Sequence, residues 1–200
     1  MDKQWLKDDR IETVQTISKP ARVLLMGDPR LRRVAHPVSD VRDPAFIAEA
    51  ATLGATLDAF RQSHGFGRAV SAPQIGINKR FISINLDNDP RTLINPEIVW
   101  RDKRTFTLWD DCMSFPYLLV RVARHASVSV RFLNESGEAQ LWEPLNRSTS
   151  ELLQHEIDHL DGVLAVDRAL DKESLVSREV FEADPQRFAA QVDYTIGSDW

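Results

Sequence analysis

The chain has 200 residues, 42% of them apolar and 28% charged, with a formal net charge of −5 and a pI of about 5.6. This length suits one domain with extensions, the apolar share excludes a disordered chain, and the acidic balance leaves no footprint for nonspecific nucleic-acid binding. A single cysteine, Cys112, excludes an intramolecular disulfide, and no apolar run approaches a membrane span, so a cytoplasmic protein with no membrane partner is expected.

Residues 1–20 carry four basic and four acidic side chains and no apolar run of the kind a secretory signal needs, and read as a polar extension. Residues 21–26 read as a strand, followed by a turn at Gly27-Asp28-Pro29. Asp43-Pro44 pairs an N-cap with proline at the first helical position. Phe46, Ala50, Leu53, Leu57 and Phe60 then recur at helical spacing, which predicts a helix over 45–63 ended by Gly65. Strands are predicted over 80–86, 92–100, 118–122 and 127–134; in the last, Val128, Val130 and Phe132 alternate with polar residues. Asn134-Glu135-Ser136-Gly137 is a turn signal, with a return strand over 140–145. A second helix is predicted from Ser148, whose spacing to Glu151 is that of a capping box, to a stop at Asp161-Gly162. Its Leu153, Ile157 and Leu160 form one stripe. The pattern is that of an α+β domain, with small antiparallel or mixed sheets around a helix.

That second helix carries the chemistry. In His155-Glu156-Ile157-Asp158-His159 the imidazoles are four residues apart, on one helical face, where they can share a metal ion; Glu156 sits beside them as a base for water. A catalytic site needs a third ligand and an open position. The candidates are Cys112, in an irregular polar segment over 109–116, or Glu173, Glu179 or Glu182 downstream, as in a zincin-type peptidase. A Cys-His-His set suits iron(II), zinc, nickel or cobalt. His36, His64 and His125 lack a partner motif and read as surface or structural.

Residues 21–170 resemble the peptide deformylase family, on three motifs in the family's order. The first is Gly67-Arg68-Ala69-Val70-Ser71-Ala72-Pro73-Gln74-Ile75-Gly76, the second Asp110-Asp111-Cys112-Met113-Ser114, and the third Gln154-His155-Glu156-Ile157-Asp158-His159-Leu160. Met26-Gly27-Asp28-Pro29-Arg30-Leu31-Arg32 also resembles the family's start. The resemblance implies a deformylase-like fold built around the helix of the third motif. It implies one divalent ion, Fe2+ favoured over Zn2+, Ni2+ or Co2+, held by Cys112, His155 and His159. It assigns Gln74 and the Met113 N–H to the formyl oxygen, and makes Glu156 the group that takes a proton from water and returns it to the leaving amine. The implied reaction removes an N-formyl group from a peptide or nascent chain, formyl-methionyl in the ordinary case, with Gly67, Arg68, Ala69, Val70, Asp110 and Asp111 lining the substrate site.

The chain departs from the family at both earlier motifs. Ala69 stands for a glycine, Ser71 for an alanine, Arg68 for an apolar residue near the substrate side chain, and Asp110-Asp111 for Glu-Gly. Arg68, Asp110, Ser148 and Glu151 therefore suggest a more polar pocket and a shifted preference, unless Ser148 and Glu151 merely cap their helix. A non-catalytic binder of formylated ligands is a further alternative, against which the retained Glu156 argues. Residues 171–200 carry seven acidic and three basic side chains, so this tail does not dock on ribosomal RNA as a basic helix does. Two states are open to it: packing on the domain through Phe181, Phe188 and Tyr194, or disorder.

Overall fold

The computed structural model describes residues 18–197, so most of the N-terminal extension lies outside the described residues. The first long helix, α1 (Pro44–His64), is capped as its sequence signals: the Asp43 side chain accepts from the Ala45 N–H, and Gly65 ends the helix in the left-handed region at φ 75°. Five antiparallel strands make the larger sheet, in the order β1 (Ala69–Ser71), β2 (Phe81–Leu86), β3 (Asp89–Arg101), β6 (Val128–Leu133), β7 (Ala139–Trp142). The β2–β3 turn is the residue pair Asp87-Asn88, both at positive φ, as a tight hairpin requires. β3 is kinked where Asn95, at φ 52°, leaves the ladder ahead of Pro96, and its side chain pairs with both backbone groups of Val38.

Alternate side chains on this sheet meet different helices. Phe81 and Ile94 pack with Phe46, Leu53 and Leu57 of α1. Ile82, Ile84 and Leu93 pack with Leu152, Leu153, Ile157 and Leu160 of α2 (Arg147–Leu160). The sheet is thus covered on both faces, which explains the apolar runs in β2 and β3. A second sheet, β4 (Thr105–Asp111), β5 (Leu118–His125) and β8 (Leu175–Ser177), is also antiparallel. Helix α2 contacts β1, β3 and β5, so it touches both sheets, and every residue from 150 to 160 is buried.

Several expectations are corrected. Residues 21–26 form no strand; their N–H groups bond to separate elements, Ala21 N–H to Thr56 Oγ1 of α1, Leu24 N–H to Gln74 O and Met26 N–H to Ser114 O. The start of the segment expected to be irregular is the end of β4, where Trp109 is buried and its indole N–H donates to Phe188 O at 3.0 Å. The N-cap of α2 is Asn146, which accepts from the Thr149 N–H at 2.8 Å, and not a Ser148–Glu151 capping box. Those two side chains are used elsewhere. The tail packs: β8 extends the second sheet, α3 (Arg178–Ala183) and α4 (Pro185–Ala189) follow, and Phe188 and Tyr194 are buried. No helix of the described residues is long and apolar enough to cross a membrane.

Candidate active site

Helix α2 sets two donors by its own period. His155 and His159 lie one turn apart, with Nε2 atoms 3.2 Å from each other. The third donor comes from the second sheet. β4 ends at Asp111, and the next residue, Cys112, lies with Sγ 3.2 Å from His159 Nε2. The three ligand atoms all fall within 4.8 Å of one another, and all three residues are buried.

The surroundings fix these donors. Asp110 is 3.0 Å from His155 Nδ1, which turns His155 Nε2 toward Cys112 and His159. Arg124 of β5 donates to Asp110 at 2.9 Å and to Asp158 at 2.5 Å, and Arg168 donates to Asp158 at 2.6 Å. Burial opposes ionisation of Asp110, but His155 and Arg124 outweigh it and hold its carboxyl well below the usual range. Burial also opposes a charged His155, yet Asp110 lifts that imidazole well above its ordinary value. Burial, then the neighbouring His155, pushes His159 well below. Burial pushes the Cys112 thiol up. A thiol and two imidazoles this close compete to hold protons in the space they enclose. A divalent cation there replaces those protons and satisfies all three donors, so the set fits the ion.

Glu156, the residue after His155, is buried at 3% exposure. The Ser71 hydroxyl lies 2.5 Å from its Oε2 and 2.8 Å from its backbone oxygen. Burial pushes Glu156 above the usual carboxylate range, against the pull of His155 and Ser71. Gln74 sits on a short 3-10 turn after β1; its Oε1 accepts from the Ser71 N–H at 2.8 Å, so Nε2 faces Ser114 Oγ at 3.2 Å and Cys112 Sγ at 3.6 Å. The Met113 N–H makes no hydrogen bond among the described residues.

A cavity of about 290 Å3 opens beside these groups and is lined by Gly67, Arg68, Ala69, Gln74, Asp110, Asp111, Cys112, Met113, His155 and Glu156 among others. Val70 is the exception among the expected lining residues: strand alternation sends its side chain into the core beside α1. Asp110 lines the cavity with its carboxylate already taken by His155 and Arg124, and Asp111 is paired with Arg178 of α3 at 2.9 Å. Neither departure from glycine strains the chain. Ala69 pairs with Ile84 and Asp111 with Leu119, both outside the positive-φ region. Among the described residues, the one cluster able to hold a metal is Cys112, His155 and His159, so Glu173, Glu179 and Glu182 join no such set.

The sequence model of the polypeptide deformylase family matches residues 20–174. The chain belongs to the peptide deformylase family. A peptide deformylase of Thermotoga petrophila is 35% identical over 160 residues, covering 79% of this chain and 92% of that protein. The crystal structure of the Thermotoga maritima deformylase superposes with a TM-score of 0.68 at 34% identity, over 76% of this chain and 99% of that one. That of a Synechococcus elongatus deformylase in complex with actinonin gives 0.71 at 32% identity, over 86% and 88%. Peptide deformylases use a divalent metal, and among the described residues of this chain Cys112, His155 and His159 form the cluster able to hold one.

Sequence reasoning missed three contributors to the deformylase site. Arg124 offered only a weak signal, a guanidinium placed by β5 alternation on the buried side of its strand. Arg178, which pairs with the cavity residue Asp111, and Ile196, which lines the cavity, offered none, because both contacts depend on how the tail folds back.

Proposed function

We propose that this chain hydrolyses the N-formyl amide at the start of a peptide or nascent chain, releasing formate and a free amine, with Cys112, His155 and His159 holding the ion. The observation that carries this reading is the convergence of those three donors at a cavity that also presents Glu156, Gln74 and Met113. Bound there, a divalent ion supplies Lewis acidity and lowers the pKa of a coordinated water toward about 7.

The chain's own groups do the rest. Ser71 occupies Oε2 of Glu156, leaving Oε1 to take the proton of the attacking water and to return it to the leaving nitrogen. The Gln74 Nε2–H and the Met113 N–H are the donors for the oxygen on which negative charge develops, where loss of one donor typically costs about 100- to 1000-fold. The amide C–N bond breaks and formate departs with the oxygen of water. A Cys-His-His set accepts Fe2+, Zn2+, Ni2+ or Co2+, and the family resemblance favours Fe2+ among them. Residues 21–170 make the catalytic domain, residues 1–20 and 171–200 are extensions, and the protein works in the cytoplasm without nucleic-acid or membrane partners.

Anaerobically purified, iron-loaded protein is expected to release formate from N-formyl peptides. Glu156→Ala is expected to lower the rate by about 100- to 10,000-fold with the metal retained, and Cys112→Ser to lose the metal itself. Full metal content and activity in Cys112→Ser would move the third ligand elsewhere and overturn the assignment.

A further inference from the structure

The same cavity has a second ionic pair, buried at Glu151 and partly buried at Arg68, that the reaction does not use. Arg68, on the loop entering β1, donates from Nη2 to Glu151 Oε1, and from Nη1 to the Ser148 hydroxyl at 3.1 Å and the Ser148 carbonyl at 3.2 Å. Glu151 lies one helical turn before His155 and its side chain is 2% exposed, while that of Arg68 is 22% exposed. Both line the cavity. Glu151 Oε2 and Arg68 Nε make no hydrogen bond among the described residues.

An amide whose formyl carbon sits between Glu156 and Gln74 has its α-carbon two bonds away. Its first side chain then enters the part of the cavity that Arg68 and Glu151 wall. Placing an apolar side chain there strips water from the free N–H groups of Arg68 and from Glu151 Oε2 and returns nothing, whereas a site built for hydrogen bonding rejects a ligand that lacks the matching groups. The pair is neutral as a whole, so a cationic or anionic side chain meets one partner favourably and the other unfavourably. A carboxamide offers one oxygen to the guanidinium and one NH2 to the carboxylate.

We infer that Arg68 and Glu151 set the substrate class of this site, favouring a first residue with an uncharged, hydrogen-bonding side chain such as glutamine over methionine. The inference rests on the proposed deformylase reaction for the placement of the α-carbon. It is tested on two independent readouts at pH 8, above the value of about 7 to which burial raises Glu151. One is kcat/KM of the iron-loaded enzyme on N-formyl-glutaminyl and N-formyl-methionyl peptides of otherwise identical sequence. The other is calorimetric Kd for the same peptides on Glu156→Ala.

A preference for glutamine of at least about tenfold is expected in both readouts, reversing in the double variant Arg68→Leu/Glu151→Leu. The double change is used because removing one partner strands the other in a buried site. Tighter binding and faster turnover of the methionyl peptide by the unaltered chain, or a preference that the double variant leaves unchanged, would overturn the inference and leave the deformylase reaction standing. A glutamine preference in binding with no formate from any peptide would do the reverse. No binding of either peptide would overturn both.

Discussion

At the Cys112 end of the cavity the buried carboxylates around the metal ligands each have more than one charged or ring partner: Asp110 is held by His155 and Arg124, and Asp158 by Arg124 and Arg168. At the other end, Arg68 and Glu151 are, among the described residues, each other's one charged partner within hydrogen-bond reach, with Ser148 as a neutral second contact for the guanidinium. The two arrangements suit different tasks. A network with several partners per charge fixes atoms to the tolerance that metal binding and proton transfer need. A single pair facing a cavity can be exchanged as a unit, because a buried ion pair and a hydrophobic pair of similar volume are often close in stability. Chemistry and preference can therefore change independently in this molecule.

The sharpest way to break that comparison is to damage both ends and compare. Arg124→Leu leaves Asp110 and Asp158 without their shared cation and is expected to cost about 3–5 kcal/mol in urea unfolding. Arg68→Leu/Glu151→Leu is expected to stay within about 1–2 kcal/mol of the unaltered chain or to gain stability. Equal losses would mean that the two ends are built alike.

A smaller effect is expected for Asp110→Asn. It removes the carboxylate that orients His155, and such changes typically weaken metal affinity by about 10- to 100-fold. Competition with a chelator reads this directly, and unchanged affinity would show that α2 alone positions the imidazole.

The smallest effect lies in the pH dependence of stability. Burial outweighs Arg68 and raises Glu151 from 4.5 to about 7. Between those values the folded chain binds more protons at this site than the unfolded chain, so the contribution of Glu151 to stability falls as pH rises through that window. Glu151→Gln is expected to flatten the fall between about pH 5 and 7 in thermal melts. A slope that does not change would place the Glu151 titration outside that window.

What the sequence determined by itself was local. His155 and His159 share a face because a helix turns once in 3.6 residues, and Asp43-Pro44 and Gly65 bound α1 through backbone preferences carried by single residues. The motif order was legible enough to bring Cys112, Gln74 and Glu156 into one resemblance. What only the tertiary structure decided were pairings over long separations. Asp110 meets His155 across 45 positions, Arg124 meets Asp158 across 34, and Arg68 meets Glu151 across 83. Each depends on sheet register and on how α2 lies between two sheets, and a one-residue slip in β4 would turn Asp110 to the opposite face. The same physics explains why Ser148 and Glu151 carried a capping-box spacing and yet bond to Arg68. Asn146 was already available to the first turn, and a partly buried guanidinium needs a carboxylate more than a helix terminus needs a second cap.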